Sequence, residues 1–307
     1  MPSLNDIKQR IKSIQNTQKI TQAMRMVAAA KVKKAEKKVK ESRPYTKAIT
    51  EAFIKVRNSM PDIQASSQTY KKAIDNYPAL LEQRDVKTVG ILVITSDKGL
   101  AGAYNANIIR KTIARVKELK SEGKQAKLFI VGTKGVAALT REYKGSDVEI
   151  VKFYTKLPAI PTPGGANIIA EDVAEAYVDK KIDKIEVMTT RFVSMLSFKP
   201  EQWNILPAEN NKKAVEKAEL KAETVYSPSP EAVLQKIVPL YISNIIFQAM
   251  IEVAASELAA RMSAMANATN NASEMIQQLT VSYNKARQAA ITQEISEIVG
   301  GANALQG

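Results

Sequence analysis

Residues 96–105, Ser-Asp-Lys-Gly-Leu-Ala-Gly-Ala-Tyr-Asn, lie between a β-branched run and a helical pattern, the place where phosphate-binding loops sit. Gly99 and Gly102 give G-x-x-G rather than G-x-G-x-x-G, and no G-x-x-x-x-G-K-[ST] occurs in the chain. Glycines serving a tight turn at a strand end are the simpler reading. The chain has no His and no Cys, so it lacks an imidazole base, a thiolate nucleophile, a disulfide and any His- or Cys-ligated metal. Carboxylates remain, but Glu294 and Glu297 have no visible partner for acid/base work. The residues therefore assign no catalytic group, no cofactor-binding group and no metal ligand.

The net charge of +14 asks for an acidic partner: nucleic acid, anionic lipid or an acidic protein surface. Lys31, Lys33, Lys34, Lys37, Lys38, Lys40 and Arg43 crowd one stretch with few acids between them. Nucleic-acid binding would want aromatic or base-reading groups beside such a face, and none comes before Tyr45. A solvated helix face is the plain alternative. Near the other end, Arg287, Gln288 and Thr292 fall on neighbouring turns of a helical pattern.

These residues need elements to hold them. Leu4, Ile7, Ile11 and Ile14 step by three and four, and residues 4–57 read as one helix with Pro44 as its only breaker. Around Thr17, Gln18 and Thr21 the apolar stripe turns polar before Met24 and Val27 resume it. A second long pattern fills residues 230–299, where Ile276, Leu279, Tyr283, Ala286 and Ala290 step alike and Ile291, Ile295 and Ile298 carry the stripe to a stop at Gly300-Gly301. Residues 267–273 are its least helical patch.

Between the long patterns the period changes. Apolar runs at 88–95, 127–131, 149–154 and 184–190 alternate with helical patterns at 106–121, 134–143 and 168–177, which predicts a parallel sheet covered on both faces. Residues 195–205 add an edge strand. Two terminal helices with stripes too long to bury on such a domain can bury them on each other. The expected fold is α/β, a long antiparallel coiled coil of N- and C-terminal helices with an inserted Rossmann-like parallel-sheet domain. The expected segments are helix 1–60, linker 61–87, α/β domain 88–206, linker 207–229 and helix 230–307.

Residues 10–31 and 283–305 are long strings that together resemble the γ subunit of F-type ATP synthases, and residues 96–105 resemble that family's Ser-Asp-Lys/Arg-Gly-Leu string, with Ala101 where a Cys is usual. The resemblance implies a non-catalytic central-stalk rotor that couples ion flow through a membrane ring to conformational change of the catalytic β subunits. It implies α, β and ε subunits and the c-ring as partners, with no cofactor of its own, at the cytoplasmic side of a cell membrane. Carried over residue by residue, Met24 and the basic turns after it, with Arg287, Gln288 and Thr292, contact β. Tyr226, in Tyr226-Ser-Pro-Ser-Pro230, lies near the loops of the ring.

Two rival classes stay open at this stage. An enzyme would need a dinucleotide fingerprint and a cleft of acid/base groups, and a basic coiled-coil DNA-binding protein would leave the inserted domain idle. The first residues lack the continuous apolar core of a signal peptide. The run 237–247 is short and interrupted by Pro239, so no stretch approaches the eighteen or so residues that span a bilayer. The expectation is a soluble chain held at a membrane only by its partners.

Overall fold

A computed structural model of the chain describes residues 3–60, 70–207 and 226–306. The expected linkers 61–87 and 207–229 therefore fall partly outside the described residues. Helix α1 spans Leu4–Asn58 and helix α6 spans Pro230–Gln306. Between them lie a 3₁₀ turn Ala73–Asp75, α2 (Tyr77–Leu81), β1 (Thr88–Ile94), α3 (Tyr104–Ser121), β2 (Gln125–Val131), α4 (Thr133–Glu142), β3 (Glu149–Tyr154), α5 (Pro163–Val178), β4 (Lys184–Ser194) and β5 (Ser197–Leu206). The chain divides into two compact units, residues 1–29 with 261–307 and residues 30–260. Both divisions fall inside the long helices.

In the larger unit the sheet runs β3-β2-β1-β4-β5, parallel through its first four strands and antiparallel at β5. It is thus mixed, with the expected edge strand supplying the antiparallel partner. On β4, the Glu186 carboxylate meets Arg115 of α3 while the Thr189 hydroxyl donates to the Ala249 carbonyl of α6. Residues of opposite parity point to opposite faces, so α3 covers one face and α6 the other. One continuous core joins the strands to Phe53 and Ile54 of α1, Tyr77 and Leu80 of α2, and Leu234, Tyr241, Ile242 and Ile246 of α6. Part of the expected linker 61–87 is thus core.

Neither proline interrupts its helix. Pro44 and Pro239 each remove one backbone bond, at roughly 3 kcal/mol. Burying Val39 and Phe53 near the first, and Val238, Tyr241 and Ile242 near the second, returns about 1.5–3 kcal/mol per side chain. The continuous helix also corrects the hydropathy reading. By length and composition α6 could cross a bilayer, its best window having a mean hydropathy of 1.6, yet 61% of that window is buried inside the protein, as in a core helix. Nor does α6 stop at Gly300-Gly301, since glycine costs only about 1 kcal/mol in a helix and helix-forming Ala302 and Ala304 follow.

In the smaller unit, Leu4, Ile7, Ile11, Ile14, Gln18, Thr21, Met24 and Ala28 are buried or half-buried positions of α1 that step by three and four along one seam. On α6 the matching positions are Met265, Thr269, Ala272, Ile276, Leu279, Tyr283 and Ala286. Gln18 donates to the Ser273 hydroxyl at 2.7 Å, and the Thr21 and Thr269 hydroxyls lie 2.9 Å apart. The polar interruption of α1 and the weak patch of α6 are therefore one interhelix polar layer, and no break occurs at 267–273.

Candidate partner-binding surface

The two cross-helix bonds fix the antiparallel register of the smaller unit. Residues 18 and 273, and 21 and 269, sum to about 291, so Leu4 lies level with Arg287 and Met24 with Asn267. Helix α1 begins at Leu4 because Ser3 and Asp6 cap it reciprocally: the Asp6 N–H donates to Ser3 Oγ and the Ser3 N–H donates to the Asp6 carboxylate. Those bonds from Ser3 hold the Asp6 pKa below its ordinary value. Among the described residues, α6 therefore continues from Arg287 to Ala302 with no helix across from it. Every residue in that stretch is exposed, including Ile291, Ile295, Ile298 and Val299.

Arg287, Gln288 and Thr292 sit where this unaccompanied stretch begins. The Thr292 hydroxyl donates to the Gln288 carbonyl at 2.9 Å, a local bond that leaves both side chains facing outward. Arg287 has no hydrogen bond or ion pair among the described residues. It shares a face with Ile291 and Ile298, at steps of four and seven. Met24 is half-buried on α1 and some twenty residues away along the axis, about 30 Å at helical rise. The structure thus gathers three of the expected β contacts and leaves the fourth at a separate level. Tyr226 is half-buried against the core of the larger unit, not displayed freely.

The basic stretch is smaller than it looked. Lys37 and Lys40 form exposed i,i+4 pairs with Glu41 and Glu36, worth a few tenths of a kcal/mol. Lys38 donates to the Pro161 carbonyl and lies over the Phe247 ring. The Arg43 guanidinium meets the buried Glu252 carboxylate through two nitrogens, at 2.8 and 2.9 Å, and this pairing raises its pKa further. Among the described residues, only Lys31, Lys33 and Lys34 of the seven make no hydrogen bond or ion pair. Sequence reading missed the partner of Arg43. Asn244, Gln248, Glu252 and Ser256, polar at every fourth position of an apolar helix, were the available signal, and all four are buried.

The glycine loop is occupied with its own fold. The Asp97 carboxylate accepts from the Thr133 N–H at 2.8 Å and its hydroxyl at 2.6 Å. Burial pushes its pKa up, but the donors from Thr133, Lys156 and Leu157 outweigh this and lower it. Asn105 accepts from the Ser96 N–H, and Ser96 Oγ donates to the Lys98 carbonyl. The glycine with no substitute is Gly132, at φ 95°, where a Cβ would stand 2.5 Å from the Thr95 carbonyl oxygen. No group of three acidic side chains able to hold a metal ion occurs among the described residues.

A family profile described as ATP synthase matches residues 3–305. An ATP synthase gamma chain of a Picosynechococcus is 41% identical, covering 99% of this chain and all of the relative, and a Synechococcus gamma chain is 40% identical over the same shares. The fold resembles the central stalk of the Tetrahymena thermophila mitochondrial ATP synthase, with TM-score 0.58 and 24% identity over 81% of this chain and 99% of that one. It also resembles a rotor chain of the Euglena gracilis enzyme, with TM-score 0.63 and 17% identity over 94% and 98%. The two terminal helix strings, the mixed sheet between them and these full-length matches agree: the chain belongs to the ATP synthase gamma-chain family.

Proposed function

We propose that the chain is the central-stalk rotor of an F-type ATP synthase, a non-catalytic subunit turned by ion flow through the membrane ring. Its partners are the α and β subunits of the surrounding hexamer, the ε subunit and the c-ring, and it sits peripherally on the cytoplasmic side of the membrane through them. The observation that carries this reading is the exposed stretch of α6 from Arg287, whose apolar stripe none of the described residues covers. Such a stripe calls for a surrounding apolar surface. The five donors of Arg287 suit β carboxylates, with Gln288 and Thr292 beside it. Met24, with Lys31, Lys33 and Lys34 on the turns after it, supplies a second β contact facing acidic groups. Tyr226 offers only its exposed part to the ring.

The mechanism is conformational coupling. A rotor face that binds β conformers unequally shifts their populations as it turns, and nucleotide affinity shifts with them. Arg287→Ala in the reconstituted complex tests this. The expected result is equal assembly with longer single-molecule dwells and lower turnover, since a well-paired charged bond is worth roughly 1.5–3 kcal/mol. Unchanged dwells would reduce Arg287 to a solvated surface residue.

A further inference from the structure

Phe192 of β4 lies where the sheet runs out. β1 pairs with β4 only as far as Val93↔Met188, so residues beyond Met188 have no strand on that side. Pro200 pairs with Thr190 and has no N–H, so that pair is a non-hydrogen-bonded one. Pairs alternate, so Phe192↔Phe198 is also non-hydrogen-bonded, and both peptide groups of Phe192 face the side β1 has vacated. Two side chains occupy it. The Phe192 N–H donates to Glu252 Oε2 at 2.7 Å, and the Phe192 carbonyl accepts from Arg43 Nη2 at 2.5 Å.

Arg43 and Glu252 are themselves joined by two bonds, and Glu252 also accepts from Gln248 Nε2 at 2.9 Å. Gln248 in turn accepts from the Ser42 hydroxyl, and Asn244 donates to Thr46 at 2.8 Å. The pair therefore does for β4 what the next strand would have done, while bridging α1 and α6. Glu252 is 1% exposed, so its bonds are shielded from water and salt.

We propose that Arg43 and Glu252 are positioning residues for coupling: they clamp the free edge of β4 to the α1–α6 pair so that helices and sheet of this unit move as one body under load. This rests on the rotor reading above. A buried pair replaceable by apolar groups contributes little net stability, whereas one that ties backbone to two helices fixes geometry.

The test uses Glu252→Gln, Glu252→Ala and Arg43→Lys in the full chain and in the reconstituted membrane complex. Glu252→Gln keeps an acceptor for the Phe192 N–H and guards against loss of folding. Hydrogen exchange in the full chain should show the Phe192 amide opening about tenfold faster or more in Glu252→Ala, with amides of β1 and β2 unchanged. In assembled complexes, ions moved per ATP hydrolysed should fall in the order Glu252→Gln, Arg43→Lys, Glu252→Ala, while ATP hydrolysis stays near wild type. A purely structural role would lower the yield of complex and leave that ratio untouched. Faster exchange at Phe192 with an unchanged ratio in all three variants would overturn the coupling role and leave the rotor reading intact. A wild-type complex that hydrolyses ATP without moving ions would sink the rotor reading and the clamp's role with it.

Discussion

The two units solve the same problem, packing long helices, in opposite ways. In residues 30–260, α1 and α6 pack against the sheet, and buried Glu252 and Asn244 of α6 pair with half-buried Arg43 and Thr46 of α1. In residues 1–29 with 261–307 the two helices pack on each other, the polar layer is Gln18–Ser273 and Thr21–Thr269, and Ile20, Met26, Val27, Ile295 and Ile298 are exposed among the described residues. A unit that completes its own core is stable by itself. One that leaves apolar stripes open is built to be completed by something else. The same two helices do both, so the difference lies in side-chain placement and not in the helices themselves.

The largest effect should come from stripping the closed unit of its helices. A fragment of residues 88–206 keeps all five strands but loses Phe53, Leu80, Leu234, Ile242 and Ile246 from the core, and should lack cooperative unfolding in circular dichroism and dispersed NMR shifts. A sharp two-state melt of the fragment would show that the helices cover a finished core.

Phe53→Ala comes next. The side chain is fully buried and stacked 4.5 Å from the Tyr241 ring, so denaturant unfolding of the full chain should lose about 3–5 kcal/mol. Acid should act on the same unit. The Glu186 carboxylate is buried; burial pushes its pKa up, but Arg115 and Lys184 hold it below the usual 4.5. A depressed folded pKa contributes stability above the unfolded value that is lost as pH falls through the folded one. Stability should therefore decline as pH drops below about 4.5, and Glu186→Gln should flatten that decline. An identical acid profile in the variant would remove Glu186 from the account.

Much of this was legible in sequence because period and length carry it. The strand runs and both long helices follow from spacing alone, and residues 149–154 coincide with β3. Legibility failed where one segment's meaning depended on another. Gln18 and Thr21 look like a flaw in α1, and residues 267–273 a flaw in α6, until the register sets them side by side. Arg43 looks like part of a basic face until Glu252 is seen beneath it. Residues 73–81 read as linker because Ile74, Tyr77 and Leu80 are too few to show a period, and only packing reveals that they are core. At the candidate surface, sequence could name Arg287, Gln288 and Thr292. It could not show that the companion helix ends level with them, because that depends on the register.

The polar layer should have a smaller effect. A double-mutant cycle of Thr21→Val and Thr269→Val should return a coupling of about 0.5–1 kcal/mol in unfolding experiments on the full chain. Zero coupling would mean the two hydroxyls merely face the same water.

The central claim is that the end of α6 is finished by partners and not by this chain. It is tested most directly by the triple variant Ile291→Ser, Ile295→Ser, Ile298→Ser, measured alone and in complex with α and β. The isolated chain should unfold within about 0.5 kcal/mol of wild type, because these side chains are exposed at 47%, 56% and 71%. The complex should release the chain about tenfold faster or more, the loss of roughly 1.4 kcal/mol of apolar contact. A destabilised isolated chain, or a complex that dissociates at the wild-type rate, would contradict the account.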